Sequence, residues 1–269
     1  MGNVKILNAS IDNLSMMELL ENLKQGVVYT PNVDHLVKLQ ADREFFKAYN
    51  MADFKVCDSK VLFYVSKLLG CPIKEKISGS DLFPAFYCYH KNNEAIKIFL
   101  LGAREGVAAE AQKRINAQMG RQMIVGAHSP SFGFEKNEAE CQSLIEKVNA
   151  SGATVLAVGV GAPKQEKFIH KYRDAFKHVD IFLAIGATID FEAGNVARAP
   201  KWISELGLEW LYRLISEPRR LWKRYLVEGP KFFWFVLMQA LHLYTDPFAS
   251  DDDEPGNGSY KSMAEIIDA

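Results

Sequence analysis

Three stretches of the chain, AIKIFLLG, ATVLAVGVG and HVDIFLAIG, each carry an unbroken apolar run that ends on glycine. A strand apolar along its whole length has to be covered on both faces, the condition met in parallel sheets with helices above and below. Two of the runs lead straight into helix-like sequence, AREGVAAEAQKRINAQM and APKQEKFIHKY. Earlier in the chain an apolar run at Val27 to Tyr29 stops before Pro31, and an amphipathic helix with Leu36, Leu39 and Phe46 on one face follows. Phe54 to Cys57 reads as the next strand and ends at Asp58. At the start, a strand at Val4 to Leu7 leads into a short helix with Ser15 as N-cap and Glu18 completing a capping box. This alternation predicts an α/β fold, a Rossmann-like and mostly parallel sheet with helices on both faces. No repeat of fixed period is visible.

Charge divides the chain where hydrophobicity does not. Its 269 residues have a net charge of −1, which gives no global basic field for nucleic acid. From Arg198 to Lys231, however, eight Lys/Arg stand against four Glu, and from Thr245 onward seven acids stand against Lys261 alone. The expected organisation is an α/β catalytic body at 1–197, a basic, aromatic and helical C-terminal appendage at 198–245, and an acidic, disordered tail at 246–269. Cys57, Cys71, Cys88 and Cys141 are widely spaced with no CxxC pair, which fits a reducing cytoplasm better than a zinc site or a disulfide scaffold. The N-terminus lacks the apolar core of a secretory signal, and no apolar run reaches the ~20 residues of a membrane-spanning helix.

In open parallel sheets ligands bind beyond the C-terminal ends of the strands. Four of those ends carry polar residues that folding alone does not demand. In TPNVDH, Thr30 and Asn32 line a pocket, or Asn32 or Asp34 caps the next helix. In KVCDSK, Asp58 follows an apolar strand, where desolvation would raise its carboxyl toward the range of a general base; the alternative is again a cap. In SGSDL, Ser80 and Asp81 bind a ligand or cap a helix. In GVGAPKQE, Gly159 and Gly161 let a ligand approach the backbone, and the helix start that follows favours phosphate; Gln165 contacts the sugar or phosphate, or is a solvated first-turn residue. The spacing matches neither the dinucleotide GxGxxG fingerprint nor the P-loop, and there is no GxSxG, HExxH or DxD.

The stretch after Lys201 is the least ordinary. Trp210, Leu211, Leu214 and Ile215 share a helical face, Pro218 interrupts it, and Arg213, Arg219, Arg220 and Arg224 cluster nearby. FFWFVLMQALHLY follows Pro230, apolar but too short to span a bilayer. Aromatics mixed with Arg and Lys suit a helix lying on an anionic membrane surface. The same pattern also suits a hairpin packed on the body or on another subunit of a homo-oligomer, and its arginines suit a bidentate grip on pyrophosphate.

Taken in order, TPNVDH, the acid in VCDSK, GSDL, VGVGAPKQE, IGATIDFEAG, RAPKW and GLEWLYRLISEPRRLWKRYL resemble the WecG/TagA/CpsF family of bacterial glycosyltransferases, from about Val27 to Leu226. The resemblance implies an inverting transfer from a UDP-sugar to a polyprenyl-pyrophosphate-linked sugar on the cytoplasmic membrane face, in cell-surface polysaccharide synthesis, with no metal or other cofactor. The sugar it implies is of the N-acetylmannosamine type, its uronic acid, or glucose. It implies Asp58 as the catalytic base, Thr30 and Asn32 near it, Gln165 on the donor, and Arg213, Arg220 and Arg224 on the leaving diphosphate. Two positions depart from the family pattern: Ser59 follows the acid where glycine is usual, and Lys76 precedes SGSDL where arginine is common. The competing expectations are a Rossmann-type NAD(P)-dependent oxidoreductase and a non-enzymatic membrane-surface adaptor.

Overall fold

A computed structural model describes residues 2–196, 200, 203 and 207–249, apart from the side chain of Arg220. The expected tail beyond Ala249, and Arg198, Ala199, Lys201 and Trp202 of the RAPKW string, lie outside the described residues. The chain opens with a hairpin of β1 (Asn3–Ile6) and β2 (Ala9–Asp12), antiparallel to each other and outside the main sheet. The sequence pattern predicts Val4 to Leu7 as a strand of the alternating body. It pairs instead with the next four residues, and its burial alternates residue by residue, as in a strand covered on one face.

Next come α1 (Met16–Asn22), β3 (Gly26–Tyr29), α2 (Val33–Lys38), α3 (Arg43–Asn50), β4 (Phe54–Lys55), α4 (Lys60–Leu68) and α5 (Gly79–Tyr89). The capping box forms: Ser15 Oγ accepts from Glu18 N, and Glu18 Oε2 accepts from Ser15 N. The single helix expected after Pro31 is two, because Asp42 Oδ1 accepts from Phe45 N and starts a new helix there. The chain continues through β5 (Ile98–Gly102), α6 (Val107–Met119), β6 (Ile124–His128), α7 (Glu138–Ser151), β7 (Val155–Gly159), α8 (Lys164–Tyr172), β8 (Ile181–Ala184) and α9 (Thr188–Glu192). The C-terminal helices are α10 (Glu209–Ser216), α11 (Pro218–Trp222), a π-helical segment at Lys223–Glu228, and α12 (Gly229–Ala240).

β3 to β8 form one parallel sheet in the order β4-β3-β8-β7-β5-β6. The apolar runs are continuous because successive residues serve opposite layers. Phe99, Leu101, Leu156, Val158, Phe182 and Ala184 enter the core under α2, α3, α7 and α8. Ile98, Leu100, Val155, Ala157, Ile181 and Leu183 enter the core under α1, α5, α6 and α9. The fold is thus the expected α/β Rossmann-like arrangement. Strand ends meet closely on its C-terminal edge: a Cβ on Gly159 would lie 2.6 Å from Gly186 O, so that position requires glycine.

α12 is part of the first core. Phe232 is fully buried, Val236 is nearly so, and both join the cluster around α2. Polar ties fix the same helix: Gln239 Oε1 accepts from Leu7 N at 2.8 Å, and beyond its end Tyr244 Oη donates to Gln40 Oε1 at 2.6 Å. These contacts bring the C-terminal helices over the strand ends of β3 and β4.

Candidate active site

The loop after β4 is held from both sides. Val56 N donates to Tyr29 O at 3.0 Å and Asp58 N to Pro31 O at 2.7 Å, so pairing with the β3 side continues past the formal strand. On the other side Ile77 N donates to Cys57 O at 2.7 Å. Asp58 is thereby fixed between Asn32 and Lys76. It does not cap α4: Ser59 does, its Oγ accepting from Leu62 N.

Asp58 opens into a cavity of about 270 Å³. Asn32, Ser59 and Lys76 come to it from the loops after the strands, Asp34 and Lys60 from the first turns of α2 and α4, and Glu209, Trp210, Arg213, Arg224, Tyr225 and Phe233 from the C-terminal helices. Burial pushes the Asp58 carboxyl up to about 7; Lys76 and Arg213 oppose the rise, and Glu209 and Asp81 add to it. A carboxyl of that basicity is half ionised near neutral pH and able to take a proton there.

Arg224 reaches the body through α2. Its Nη2 donates to Asn32 Oδ1 at 3.2 Å, and its Nε lies 3.6 Å from Asp34 Oδ2, too long for a hydrogen bond. The Nε hydrogen is therefore buried without an acceptor. Burial pushes Asp34 up, but Arg224 and Lys38, whose Nζ is 2.6 Å away, outweigh it and hold the carboxyl below its ordinary value. Beneath them His35 is driven down to about 3 by burial and stays neutral. Arg213 lies over the Phe191 ring, its Cζ 5.6 Å from the centroid.

The residues singled out from sequence divide into those around this cavity and those set apart from it. Asp58, Asn32, Arg213 and Arg224 line it. Asn32 Oδ1 also caps α2, accepting from Asp34 N and His35 N, so both readings of this residue hold at once. Thr30 is buried and does not line the cavity. Neither do Ser80 and Asp81, which sit in a cluster where Ser78 caps α5 and Lys76 Nζ holds Asp81 Oδ2 at 2.9 Å. Gly159, Gly161 and Gln165 stand apart as well. Gln165 Oε1 accepts from Gly161 N and Gly186 N, both at 3.2 Å, and its Nε2 donates to the fully buried Glu166 at 2.8 Å. Gln165 thus joins the loops after β7 and β8 and is no solvated first-turn residue. The side chain of Arg220 lies outside the described residues.

Asp34 and Glu209 were not assigned to the cleft from sequence. The signal for Glu209 was an acid at the head of the helix that also bears Trp210 and Arg213, inside a basic stretch. Asp34 carried no signal beyond its place near a cap, since its partner Arg224 is far along the chain.

The sequence model of the Glycosyl transferase WecG/TagA/CpsF family matches residues 4–246, from the hairpin through the last described helix. The chain belongs to this family. It is accordingly a glycosyltransferase of cell-surface polysaccharide synthesis, which sets aside the oxidoreductase and the non-enzymatic adaptor. Family membership also covers the C-terminal helices, which the match includes along with the sheet.

Proposed function

We propose that the protein is an inverting transferase that moves a sugar from a UDP-sugar to a polyprenyl-pyrophosphate-linked saccharide, with Asp58 as general base. The observation that carries the reading is one cavity in which a carboxyl of raised basicity faces two guanidinium groups, one of them with a buried, unmatched N–H. In this reading Asp58 takes the proton from the acceptor hydroxyl as that oxygen attacks the anomeric carbon and the bond to UDP breaks. Arg213 and Arg224, joined by Arg220, take up the negative charge growing on the leaving diphosphate. That supply of positive charge is the reason to read the reaction as metal-independent, with no other cofactor. Thr30, Asn32, Ser80, Asp81, Gly159, Gly161 and Gln165 are read as shaping and contacting the rest of the donor site, Gln165 by joining the loops on which Gly161 lies.

The same reading places the enzyme on the inner face of the cytoplasmic membrane. No helix among the described residues is long and apolar enough to cross a membrane. Trp222, Leu226, Phe233, Trp234, Leu237 and Leu241 nevertheless expose large apolar side chains along the C-terminal helices, beside Lys223 and Lys231. Such a surface suits an interfacial position next to a lipid-linked acceptor.

The test is UDP release and sugar transfer to a short-chain lipid-pyrophosphate-linked acceptor, assayed with a set of UDP-sugars in the presence of EDTA. Transfer with inversion that Asp58→Asn abolishes is the expected result. Transfer that requires an added divalent cation overturns the role given to the arginines, and retention of the anomeric configuration overturns the role given to Asp58.

A further inference from the structure

The carboxyl of Glu166 has no part in the reaction as read so far. It stands in the first turn of α8, directly after Gln165, and is 0% exposed. An acid there suits the helix dipole, but a solvated one serves it equally and avoids the cost of burial. Burial pushes this carboxyl up to about 7; Gln165 and Lys38 oppose the rise, and Asp34 adds to it. Its Oε2 has no hydrogen-bond partner among the described residues. Helix formation and packing therefore leave the choice of a carboxyl at this position unexplained.

What the carboxyl does hold is one amide. Glu166 Oε1 accepts from Gln165 Nε2 at 2.8 Å, and Tyr29 Oη fixes the backbone of the same residue by donating to Glu166 O at 3.0 Å. Gln165 Oε1 is thereby turned toward Gly161 N and Gly186 N. A flipped amide would set its oxygen against the carboxyl oxygen and its NH2 against two N–H donors, so the Glu166 contact selects the orientation. The consequence lies in the backbone. Pairing of β7 with β8 extends to Ile185 N, which donates to Val158 O at 2.9 Å, and past that bond the Gln165 carbonyl joins the two turns.

We propose that Glu166 is a positioning residue for the UDP site: through Gln165 it fixes the spacing of the glycine turns after β7 and β8 that contact the donor. The inference rests on the reading of those turns as part of the donor site. Glu166 itself is buried behind Gln165 and touches no ligand in this arrangement.

Titration of the full chain with UDP reads the effect. Glu166→Leu, which keeps much of the volume but has no acceptor, is expected to weaken UDP binding about tenfold with a native circular dichroism spectrum, the scale of one lost hydrogen bond to a charged group. Glu166→Gln keeps an acceptor oxygen and restores the affinity. Gln165→Leu shows the same loss as Glu166→Leu, and the double variant loses no more than either alone, since one residue acts through the other. A Glu166 that serves packing alone moves Tm and leaves the affinity in place. Wild-type affinity in Glu166→Leu therefore overturns the proposal, as do losses that add in full. If Glu166→Leu does not fold, Glu166→Gln near the wild type beside a weakened Gln165→Leu supports the proposal, and Glu166→Gln as weak as Gln165→Leu overturns it. All of these results leave the transferase reading in place. A wild-type chain that binds no UDP overturns that reading, and the proposal with it.

Discussion

The two walls of the cleft are built on different terms. On the sheet side the polar residues are largely satisfied by one another: Asn32, Ser59 and Ser78 each cap a helix, and Gln165 uses its carbonyl on two loops and its amide on Glu166. On the other side α10, α11 and α12 have no side-chain caps. Of their large apolar residues Phe232, Val236 and Leu221 are buried, while Trp222, Phe233, Trp234 and Leu237 remain exposed. The sheet side is specified by local signals. The C-terminal helices are specified by what they dock against, and they bring Arg213 and Arg224, with Glu209, to a cleft to which the sheet side contributes Asp34 and Asp58 alongside Lys60 and Lys76. Chemistry is expected only where the two meet, and each experiment below tries to separate them.

The largest effect is expected at Asp58. Asp58→Asn should lower transfer about 10²–10⁴-fold, the usual worth of a positioned base, while circular dichroism stays native. Transfer close to the wild-type rate would detach the sheet side from the chemistry. Because the base must be ionised to act, wild-type kcat/KM should fall as pH drops through about 7. Stability should move the opposite way. Between the ordinary aspartate value and about 7, the folded carboxyl keeps a proton that the unfolded one has lost, so stability declines as pH rises across that window. Asp58→Asn should therefore raise Tm at pH 8 and leave it nearly unchanged at pH 4, and a raised Tm at both would assign the effect to something other than the charge.

Next in size is Phe232, the apolar anchor of the other wall. It is 0% exposed, and Phe232→Ala should cost about 3–5 kcal/mol in urea unfolding. If transfer is lost in that variant before the bulk of the fold unfolds, the helices undock as a unit. A loss of stability within the error of the measurement would show that α12 is a passenger on the sheet.

How much of this was legible in the sequence follows from the same contrast. Apolar runs, the glycine ends of β5 and β7 and the Ser15 box are local signals, and each appeared as read. Asp58 could be marked as an acid at a strand end, and burial at that end is what raises its carboxyl. The pairing of Asp34 with Arg224 was not legible, because a contact across the whole length of the fold leaves no periodicity behind. By sequence Gln165 is a contact residue or a solvated one; in the fold it is a tie between loops, since its two acceptor bonds depend on where β8 lies beside β7. The hairpin of β1 and β2 was missed because four residues carry too little pattern to tell one-sided from two-sided burial.

Asp34→Asn tests the seam directly. It removes the charge facing Arg224 and Lys38 while keeping the shape, so Arg224 loses its guide into the cleft. An approximately tenfold fall in kcat/KM is expected, carried by KM if Arg224 acts in binding the diphosphate and by kcat if it acts on the leaving group. The Asp34 carboxyl is held low, so its contribution to stability is present above the ordinary carboxylate range and lost as pH falls below it. The wild type and Asp34→Asn should therefore converge in Tm on acidification. Variants that stay equally far apart at every pH would mean the side chain acts by packing alone.

The smallest effect is expected where the C-terminal helices face outward. Trp234 is 60% exposed and Leu237 is 49% exposed on α12, the helix that Phe232 anchors, so replacing both with serine should leave Tm within about a degree, as surface changes away from the core usually do. Each large apolar side chain buried at an interface contributes about 1.5–3 kcal/mol when buried fully and less when half-immersed. Loss of the pair should therefore weaken sedimentation with anionic vesicles several-fold without abolishing it, since Trp222, Leu226 and the nearby lysines remain. Transfer to a water-soluble short-chain acceptor should persist while transfer to a vesicle-bound acceptor declines, because only the second requires the helices to lie on lipid. If both forms of transfer decline together and vesicle binding does not change, the exposed face serves the cleft or a second copy of the chain, and the two walls are less different than their surfaces imply.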